Sequence, residues 1–296
     1  MPYTIHVVDV FTDRPLSGNQ LGVVLDAEGI PGDVMQRVAK EMNISETTFV
    51  LAPEQATNAA RVRIFTPGNE LPFAGHPTIG TAWVLFTEGR VPGGALEFSL
   101  EEGVGPVRVR GVRGPNGLMF WMTHPPVSFG KVVADRAKAA TALGLTQDDL
   151  HGEVPIQVAS TGVPFAYVAL KDARAVDAAI SQKERLAGVF SEGVFLFAPL
   201  GSNRLYSRMF APHVLDIAED PATGSGSGPL GAFAVKYGLV ARSPKVSIVS
   251  EQGTKMLRQS FIHIELEYPS EGDIPSRIEV GGSVVPTLKG ELAGGW

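Results

Sequence analysis

The chain has 296 residues, 44% of them hydrophobic, and a formal net charge of −6 at pH 7. This length usually exceeds one compact core, so two domains of about 150 residues are expected. The acidic balance, with basic residues scattered along the chain, argues against nucleic-acid binding and favours small-molecule chemistry. There is no cysteine, which excludes disulfides, thiolate nucleophiles and zinc sites built from cysteine.

The N-terminal sequence predicts a protein without a targeting or membrane segment. It lacks a basic region followed by a long apolar stretch. No run of about 18 apolar residues occurs in the chain. We therefore expect a cytoplasmic protein that does not contact a membrane.

The first half of the chain is predicted to combine short strands with two helices. The patterns indicate strands at residues 4–10, 21–25, 49–53 and 61–65. Helical spacing of apolar residues indicates helices at 33–42 and 77–87. The second helix is apolar on most faces, so it must be covered on all sides.

The same order of motifs returns in the second half of the chain. Four segments recur about 145 residues later: Ser17-Gly18 as Thr161-Gly162, 45–53 as 191–199, 61–67 as 206–212, and His76-Pro77 as Asp220-Pro221. This long period indicates duplication of one unit rather than a solenoid. We expect two like domains, with an active site in the cleft between them.

Each predicted unit has strands around one helix that is apolar on most faces. Strands wrapped around that helix would bury it better than an open sheet with helices on both surfaces, which favours the α+β class. We expect domains at 1–125 and 126–296, joined near His124 and preceded by a glycine-rich turn at 113–117. The pattern leaves open which domain takes the last strand, at about 278–292.

The stretch from Glu219 to Gly238 places two acids and a Gly/Ser-rich bend before an apolar helix. Pro229 is predicted as the first helical residue, so the residues before it are expected to form a polar loop. Free backbone N–H groups and the macrodipole at a helix N-terminus favour a bound carboxylate. The loop is therefore a candidate substrate site.

Two other interpretations of this loop are weaker. Gly226, Gly228 and Gly231 match the dinucleotide pattern G-x-G-x-x-G, but no buried strand precedes them. We favour glycines that permit a tight bend and close approach to a ligand. Ser225 and Ser227 lack the flanking glycines of a nucleophile elbow, so Ser225 is expected to donate a hydrogen bond or to cap the helix.

His76 and Glu46 are the remaining candidates from the residues alone. His76 precedes Pro77 at a helix N-terminus, which disfavours the imidazolium form. Glu46 could be an ordinary surface residue at the start of a strand, as we assume for its repeat, Glu192. With Asp220, the set offers two carboxylates and an imidazole, which could move a proton from carbon to carbon. The six histidines are dispersed, so no metal centre is expected.

Six motifs, in order and spread over most of the chain, resemble those of one family. They are Asp9-Val10-Phe11-Thr12, Gly18-Asn19, Ser45-Glu46-Thr47, Phe73-Ala74-Gly75-His76-Pro77-Thr78, Glu219-Asp220-Pro221-Ala222-Thr223-Gly224-Ser225 and Glu251-Gln252-Gly253. These motifs are similar to those of the PhzF-like isomerases of phenazine biosynthesis. Gln20 and Gly22 depart from the pattern, since many relatives have Pro and Ala there.

The resemblance implies the diaminopimelate-epimerase fold. In that fold, two pseudo-symmetric domains each roll a mostly antiparallel sheet around a central buried helix. It also implies a cofactor-free active site in the interdomain cleft and commonly a homodimer. The epimerases of this superfamily exchange the proton with two cysteines, which this chain lacks, so the isomerase branch remains.

The resemblance further implies a reaction and a set of residues. The phenazine enzyme isomerises trans-2,3-dihydro-3-hydroxyanthranilate, in which a proton leaves C3 and returns at C1. Matched by motif, Glu46 would be the acid/base, while His76 and Asp220 would bind the substrate's polar groups and help to place the proton. The remaining substrate-binding residues would be Asn19, Gly75, Gly224 and Ser225.

Two alternatives to this isomerase stay open. One is an amino-acid epimerase or racemase without thiols, which would need Glu46 and Asp220 on opposite faces of the bound carbon. The other is a catalytically idle member that binds a metabolite or a partner protein. Many members of the family lie outside phenazine pathways, so the substrate is less transferable than the fold.

Overall fold

The computed structural model describes residues 2–114 and 117–295. Their contacts divide them into two compact units, the described parts of Met1–Thr123 with Gly281–Trp296 (unit 1) and His124–Val280 (unit 2). Pro115 and Asn116, at the centre of the predicted glycine-rich turn, lie outside the described residues. The domain limits 1–125 and 126–296 stay a prediction. Among the described residues, no helix has both the length and the apolar character needed to cross a bilayer.

Unit 1 contains eight complete strands and two helices within its described residues. The strands are β1 (Tyr3–Val10), β2 (Asn19–Val24), β3 (Glu46–Leu51), β4 (Ala60–Phe65), β5 (Glu70–Leu71), β6 (Glu97–Glu102), β7 (Gly105–Gly114) and β8 (Gly117–Thr123). The helices are α1 (Gly32–Met42) and α2 (Gly75–Thr87). The elements predicted for this half are therefore present, but β3 begins earlier than predicted and includes Glu46.

Helix α2 is the buried centre of unit 1, as its apolar sequence predicts. Ile79, Ala82, Val84 and Leu85 are all buried, whereas its two large aromatic residues are half-buried. Close packing against the sheet needs Gly80, because a Cβ there would lie 2.5 Å from the Leu21 side chain. Helix α1 is amphipathic instead, and its buried side joins a separate apolar cluster.

Unit 2 and the end of the chain hold the remaining elements. The strands are β9 (Ser128–Val132), β10 (Gln157–Ser160), β11 (Pro164–Ala169), β12 (Gly193–Gly201), β13 (Arg204–Ala211), β14 (Ile217–Asp220), β15 (Lys245–Gln252), β16 (Ser260–Glu267) and β17 (Arg277–Leu292). The helices are α3 (Arg136–Ala142), α4 (Ala173–Ala178), α5 (Lys183–Ala187) and α6 (Gly224–Lys236). From Gly281 onward β17 belongs to unit 1, where it pairs antiparallel with β1.

Strand pairing repeats in the two units, which confirms the predicted pseudo-symmetry. In unit 1, β2 and β3 are parallel, β3 and β4 antiparallel, β4 and β6 parallel, and β6 and β7 antiparallel. In unit 2, β11, β12, β13, β15 and β16 follow the same sequence of pairings. Each unit has one central helix of 13 residues. The predicted α+β class, with a mostly antiparallel sheet around a buried helix, is therefore confirmed.

Helix α6 corrects one expectation about the Gly/Ser-rich stretch. The helix begins at Gly224, so Pro229 lies inside it and the glycines are helical rather than a bend. A Cβ at Gly226 would lie 2.6 Å from the Phe195 ring, and one at Gly228 would lie 2.8 Å from His124 Nδ1. The glycines therefore let α6 pack closely against its sheet, which outweighs their low helix propensity.

Candidate active site

Three predicted site residues meet in unit 1. Glu46 is the first residue of β3, Asn19 the first of β2, and His76 the second of α2. The side chains of Glu46 and His76 are 10% and 6% exposed, and His76 Nε2 lies 3.1 Å from Glu46 Oε2. Asn19 Nδ2 lies 3.2 Å from His76 Nδ1 on the other side of the ring. Because β2 and β3 are parallel neighbours, their first residues both lie beside the start of α2.

The hydrogen bonds of His76 define its tautomer. The amide nitrogen of Asn19 is only a donor, so His76 Nδ1 must accept from it. The ring proton then lies on Nε2, which donates to the Gln20 carbonyl at 3.3 Å. With the Asn19 amide nitrogen facing Nδ1, His76 is thus a neutral imidazole whose N–H points to the Gln20 carbonyl.

Glu46 keeps a buried oxygen beside this imidazole. Although Nε2 is 3.1 Å from Oε2, its N–H is aligned with the Gln20 carbonyl instead. Within the described residues, Oε2 is buried and receives no hydrogen bond. Such an oxygen can take a proton from a bound molecule without first breaking a bond to the protein.

The N-terminus of α2 supplies backbone donors next to this pair. The helix begins at Gly75, earlier than the predicted start at Pro77, so His76 lies within its first turn. Ala74 is the N-cap residue and has extended backbone angles, φ −154° and ψ 140°. Its methyl side chain cannot accept a hydrogen bond from the helix. Backbone N–H groups at such an end favour an anion.

Asp220 lies in a different hydrogen-bond network, in unit 2. It ends β14, four residues before α6 begins, whereas its repeat His76 lies inside α2. The Thr223 hydroxyl donates to the Asp220 carboxylate. Gln252 Nε2 donates to the Asp220 carbonyl at 2.8 Å and to Thr223 Oγ1 at 3.0 Å. Gln252 Oε1 accepts from the Thr223 N–H at 3.1 Å, so one buried amide holds the whole start of α6.

Gly224 and Ser225 are the first two residues of α6. Gly224 is buried, and Ser225 is partly exposed. Ser227 is fully buried and donates to the Thr223 carbonyl at 2.8 Å, so its role is to stabilise the helix start. Of the two serines predicted as candidates, Ser225 is thus the more exposed.

Two residues that hold this part of unit 2 are not predicted as site residues from the sequence. Gln252 belongs to a motif that supports the family resemblance, but the motif alone indicates no role for it. Arg208 gave no sequence signal, yet its guanidinium binds Glu219 with two hydrogen bonds, of 2.8 and 2.7 Å. It also donates to carbonyl groups at the C-terminal end of α4. Arg208 therefore fixes the strand that ends at Asp220.

The repeat of Glu46 has different surroundings. Glu192 lies 3.1 Å from Lys131 Nζ, and its side chain is 16% exposed, so it is more buried than the surface residue we assumed. Its backbone carbonyl accepts from His213 Nε2 at 3.0 Å. Across residues 2–114 and 117–295, no group of three or more His, Asp or Glu side chains is placed to hold a metal ion.

Comparisons with known proteins identify the family. Residues 8–290 match the family described as phenazine biosynthesis-like protein. The chain is 35% identical over 286 residues to the trans-2,3-dihydro-3-hydroxyanthranilate isomerase of Pseudomonas aeruginosa, which covers 94% of each chain. It is 35% identical over 295 residues to an uncharacterised isomerase of Deinococcus radiodurans, covering 97% of this chain and 94% of that one.

A solved structure agrees over the whole chain. The crystal structure of the Bacillus anthracis phenazine biosynthesis protein, PhzF family, matches with a TM-score of 0.90 and 26% identity, and the match covers 99% of each chain. The predicted resemblance and fold are therefore confirmed. The chain belongs to the phenazine biosynthesis-like protein family, and it is an isomerase.

Proposed function

We propose that this isomerase moves a proton between two carbons of a small carboxylate-bearing substrate, without a cofactor and with Glu46 as the general acid/base. The observation that carries the proposal is the buried Glu46 oxygen beside a neutral His76 at the start of α2. The P. aeruginosa relative is named for trans-2,3-dihydro-3-hydroxyanthranilate, and we propose a substrate of that kind here.

The proposed reaction balances with one proton carrier. The Glu46 carboxylate takes the proton from C3, so a C–H bond breaks and an O–H bond forms. The electron pair left on C3 shifts through the ring toward C1. C1 then takes the proton back from Glu46, which returns to the carboxylate, and no oxidant, reductant or other co-reactant is needed.

His76 supports both protonation states of Glu46 in this scheme. His76 Nε2 lies 3.1 Å from Glu46 Oε2, so the dipole of its N–H stabilises the nearby carboxylate before the reaction and after it, without a hydrogen bond to it. While Glu46 carries the proton, the same N–H keeps its bond to the Gln20 carbonyl. A neutral imidazole is suited to this role, because an imidazolium would hold Glu46 ionised and oppose proton uptake.

We propose that the remaining predicted residues bind the substrate. The backbone N–H groups at Gly75 and Gly224, at the two helix starts, suit a carboxylate. The Ser225 hydroxyl and the side chains of Asn19 and Asp220 would bind its other polar groups. By family resemblance, we also propose that the chain works as a cytoplasmic homodimer. Light scattering would test the dimer, because a monomeric mass at assay concentration contradicts it.

Glu46→Gln tests the proposal, with Glu192→Gln as its matched control at the repeated position. Turnover of trans-2,3-dihydro-3-hydroxyanthranilate would be followed by ultraviolet absorbance and its binding by calorimetry. Glu46→Gln is expected to lower kcat about 10² to 10⁴-fold with little change in Kd, because only proton transfer is removed. Glu192→Gln is expected to keep normal turnover. A Glu46→Gln enzyme with normal kcat contradicts the role of Glu46, and a wild type that does not turn over this compound contradicts the substrate.

A further inference from the structure

A second buried carboxyl group lies near the start of α2. Glu102 ends β6 and is 7% exposed. Its Oε1 lies 2.6 Å from the hydroxyl oxygen of Thr78, in the first turn of α2. Its Oε2 is buried, and no described residue donates a hydrogen bond to it. Glu102 has no part in the chemistry proposed above.

Counting protons at Thr78 defines the state of Glu102. Thr78 Oγ1 is 2.6 Å from Glu102 Oε1 and also 2.8 Å from the Ala74 carbonyl oxygen. A hydroxyl has one proton to donate, and a carbonyl oxygen can only accept. If Glu102 were ionised, it too could only accept, and one of the two close contacts would lack a proton. If Glu102 is the neutral acid, it donates to Thr78, which donates to Ala74, and both contacts are hydrogen bonds.

The other oxygen leads to the same conclusion. An ionised Glu102 would share its charge with Oε2, a buried atom without a donor among the described residues. Burying a charged oxygen in that way is strongly unfavourable. In the neutral acid, Oε2 is an ordinary carbonyl oxygen, whose lack of a partner is far less unfavourable.

The residues that follow Glu102 hold the same segment at a second point. The Val104 N–H donates to the Pro72 carbonyl at 3.2 Å. A Cβ at Gly103 would lie 2.8 Å from the Pro72 Cα, so this turn packs directly on the backbone before α2. The turn between β6 and β7 therefore contacts the segment that carries Gly75 and His76 both before and after those residues.

We propose that Glu102 is kept as a neutral carboxylic acid and, through Thr78 and the Ala74 carbonyl, fixes the first turn of α2. Glu102 is thus a positioning residue, which acts on His76 and Gly75 through Thr78 and Ala74. The protonation state stands on geometry alone. The effect on turnover rests on the function proposed above.

The charged groups around Glu102 have partners of their own. They line a cavity of about 570 Å³: Glu54, Arg61, Arg63, Glu70, Glu101 and Glu102. Arg61 pairs with Glu54, Arg63 binds Glu70 at 2.7 Å, and Glu101 accepts from Asn58 at 2.8 Å. Burial accordingly raises the pKa of Glu102 to about 8, against a smaller lowering by the Thr78 hydroxyl.

Infrared spectroscopy of the full chain at about pH 6.5 tests the protonation state without any substrate. The wild type and the neighbouring control Glu101→Gln are expected to show a protonated-carboxyl C=O band that Glu102→Gln lacks. Ordinary glutamates are ionised at this pH. An unchanged spectrum for Glu102→Gln would show that Glu102 is ionised, and it would overturn the proposal.

Hydrogen exchange of the Thr78 amide, whose N–H donates to the Ala74 carbonyl at 3.3 Å, tests the positioning. Glu102→Ala is expected to speed this exchange about tenfold, the effect of losing one net hydrogen bond. Glu102→Gln should restore protection, because its amide can donate to Thr78 as the acid does. If Glu102→Ala does not fold, protection in Glu102→Gln still decides the question, since faster exchange there overturns the proposal.

Turnover measurements test the positioning role of Glu102 and show separately whether the proposed function holds. If the wild type isomerises trans-2,3-dihydro-3-hydroxyanthranilate, Glu102→Ala should lower kcat more than it changes KM, and Glu102→Gln should recover kcat. Unaltered kcat in Glu102→Ala overturns the positioning role. If the wild type shows no turnover, the proposed function fails, while the infrared and exchange results still decide the assignment of Glu102.

Discussion

Replacing Glu102 by Gln should change how the stability of the protein depends on pH. The burial of Glu102 raises its pKa from 4.5 to about 8, so the folded protein holds a proton that the unfolded chain releases. The stability of the neutral form is fully present below pH 4.5. It is lost progressively as the pH rises from there through the folded pKa. Glutamine does not titrate, so the variant lacks this loss.

The size of the effect follows from the pKa. One pKa unit corresponds to about 1.36 kcal/mol, so ionisation of Glu102 in the unfolded chain destabilises the wild type by roughly 3 kcal/mol between pH 4.5 and pH 7. The second amide hydrogen of Gln lacks a partner, which destabilises the variant by about 1–3 kcal/mol at every pH. The difference between variant and wild type should therefore shift by roughly 3 kcal/mol in favour of the variant over this range.

Urea unfolding at about pH 4.5 and pH 7 measures this shift. Glu101→Gln is the matched control, because the Asn58 side chain and the Glu54 N–H lower the pKa of Glu101. Its stabilising effect is present above the ordinary glutamate pKa and is lost as the pH falls, the opposite direction to Glu102. An equal free-energy difference between Glu102→Gln and wild type at both pH values would refute the reasoning.

Three further predictions concern the core and the start of α6. Phe233→Ala should lower the free energy of unfolding by about 3–5 kcal/mol in urea, because the ring is fully buried; a loss below about 1 kcal/mol contradicts the packing. Gly226→Ala should lower the free energy of unfolding by about 1–3 kcal/mol through overpacking. Gly68→Ala should change it little, because a Cβ there would lie 3.9 Å from its nearest neighbour, Thr66 Oγ1. Arg208→Met should destabilise by about 3 kcal/mol by leaving the Glu219 carboxylate without its partner, and adding Glu219→Leu should recover part of the loss; a double variant no more stable than the single one argues against that cause.

Much of the fold could be predicted because its signals are local. The apolar faces of α2 extend over consecutive residues, and the 45–53 segment recurs as 191–199. Such patterns need no knowledge of which strands are neighbours. The family motifs predicted Glu46 and His76 as residues of one site. The parallel pairing of β2 with β3 explains how the start of β3 comes to lie beside the start of α2.

The predicted start of α6, Pro229, was wrong because the contacts that make residues 224–228 helical join residues distant in sequence. Pro and Gly are strong local signals for a helix start and a bend. The contact between Gly226 and the Phe195 ring, which favours a helical glycine, appears only once β12 is in place. The same holds for Glu102, since two adjacent acids in a strand resemble exposed surface. Adjacent residues of a strand point to opposite faces, and only the contact of β6 with Thr78 of α2 shows that Glu102 is the more buried of the two.

We propose that Glu46 carries the substrate proton from C3 to C1, and the fate of a label at C3 tests this directly. The wild type and Glu46→Gln would be incubated in ordinary water with trans-2,3-dihydro-3-hydroxyanthranilate deuterated at C3, and the position of the label read by NMR. We expect deuterium to move from C3 to C1 with the wild type and to stay at C3 with Glu46→Gln, although the variant still binds the compound. Transfer of the label by Glu46→Gln at the wild-type rate would contradict the role of Glu46.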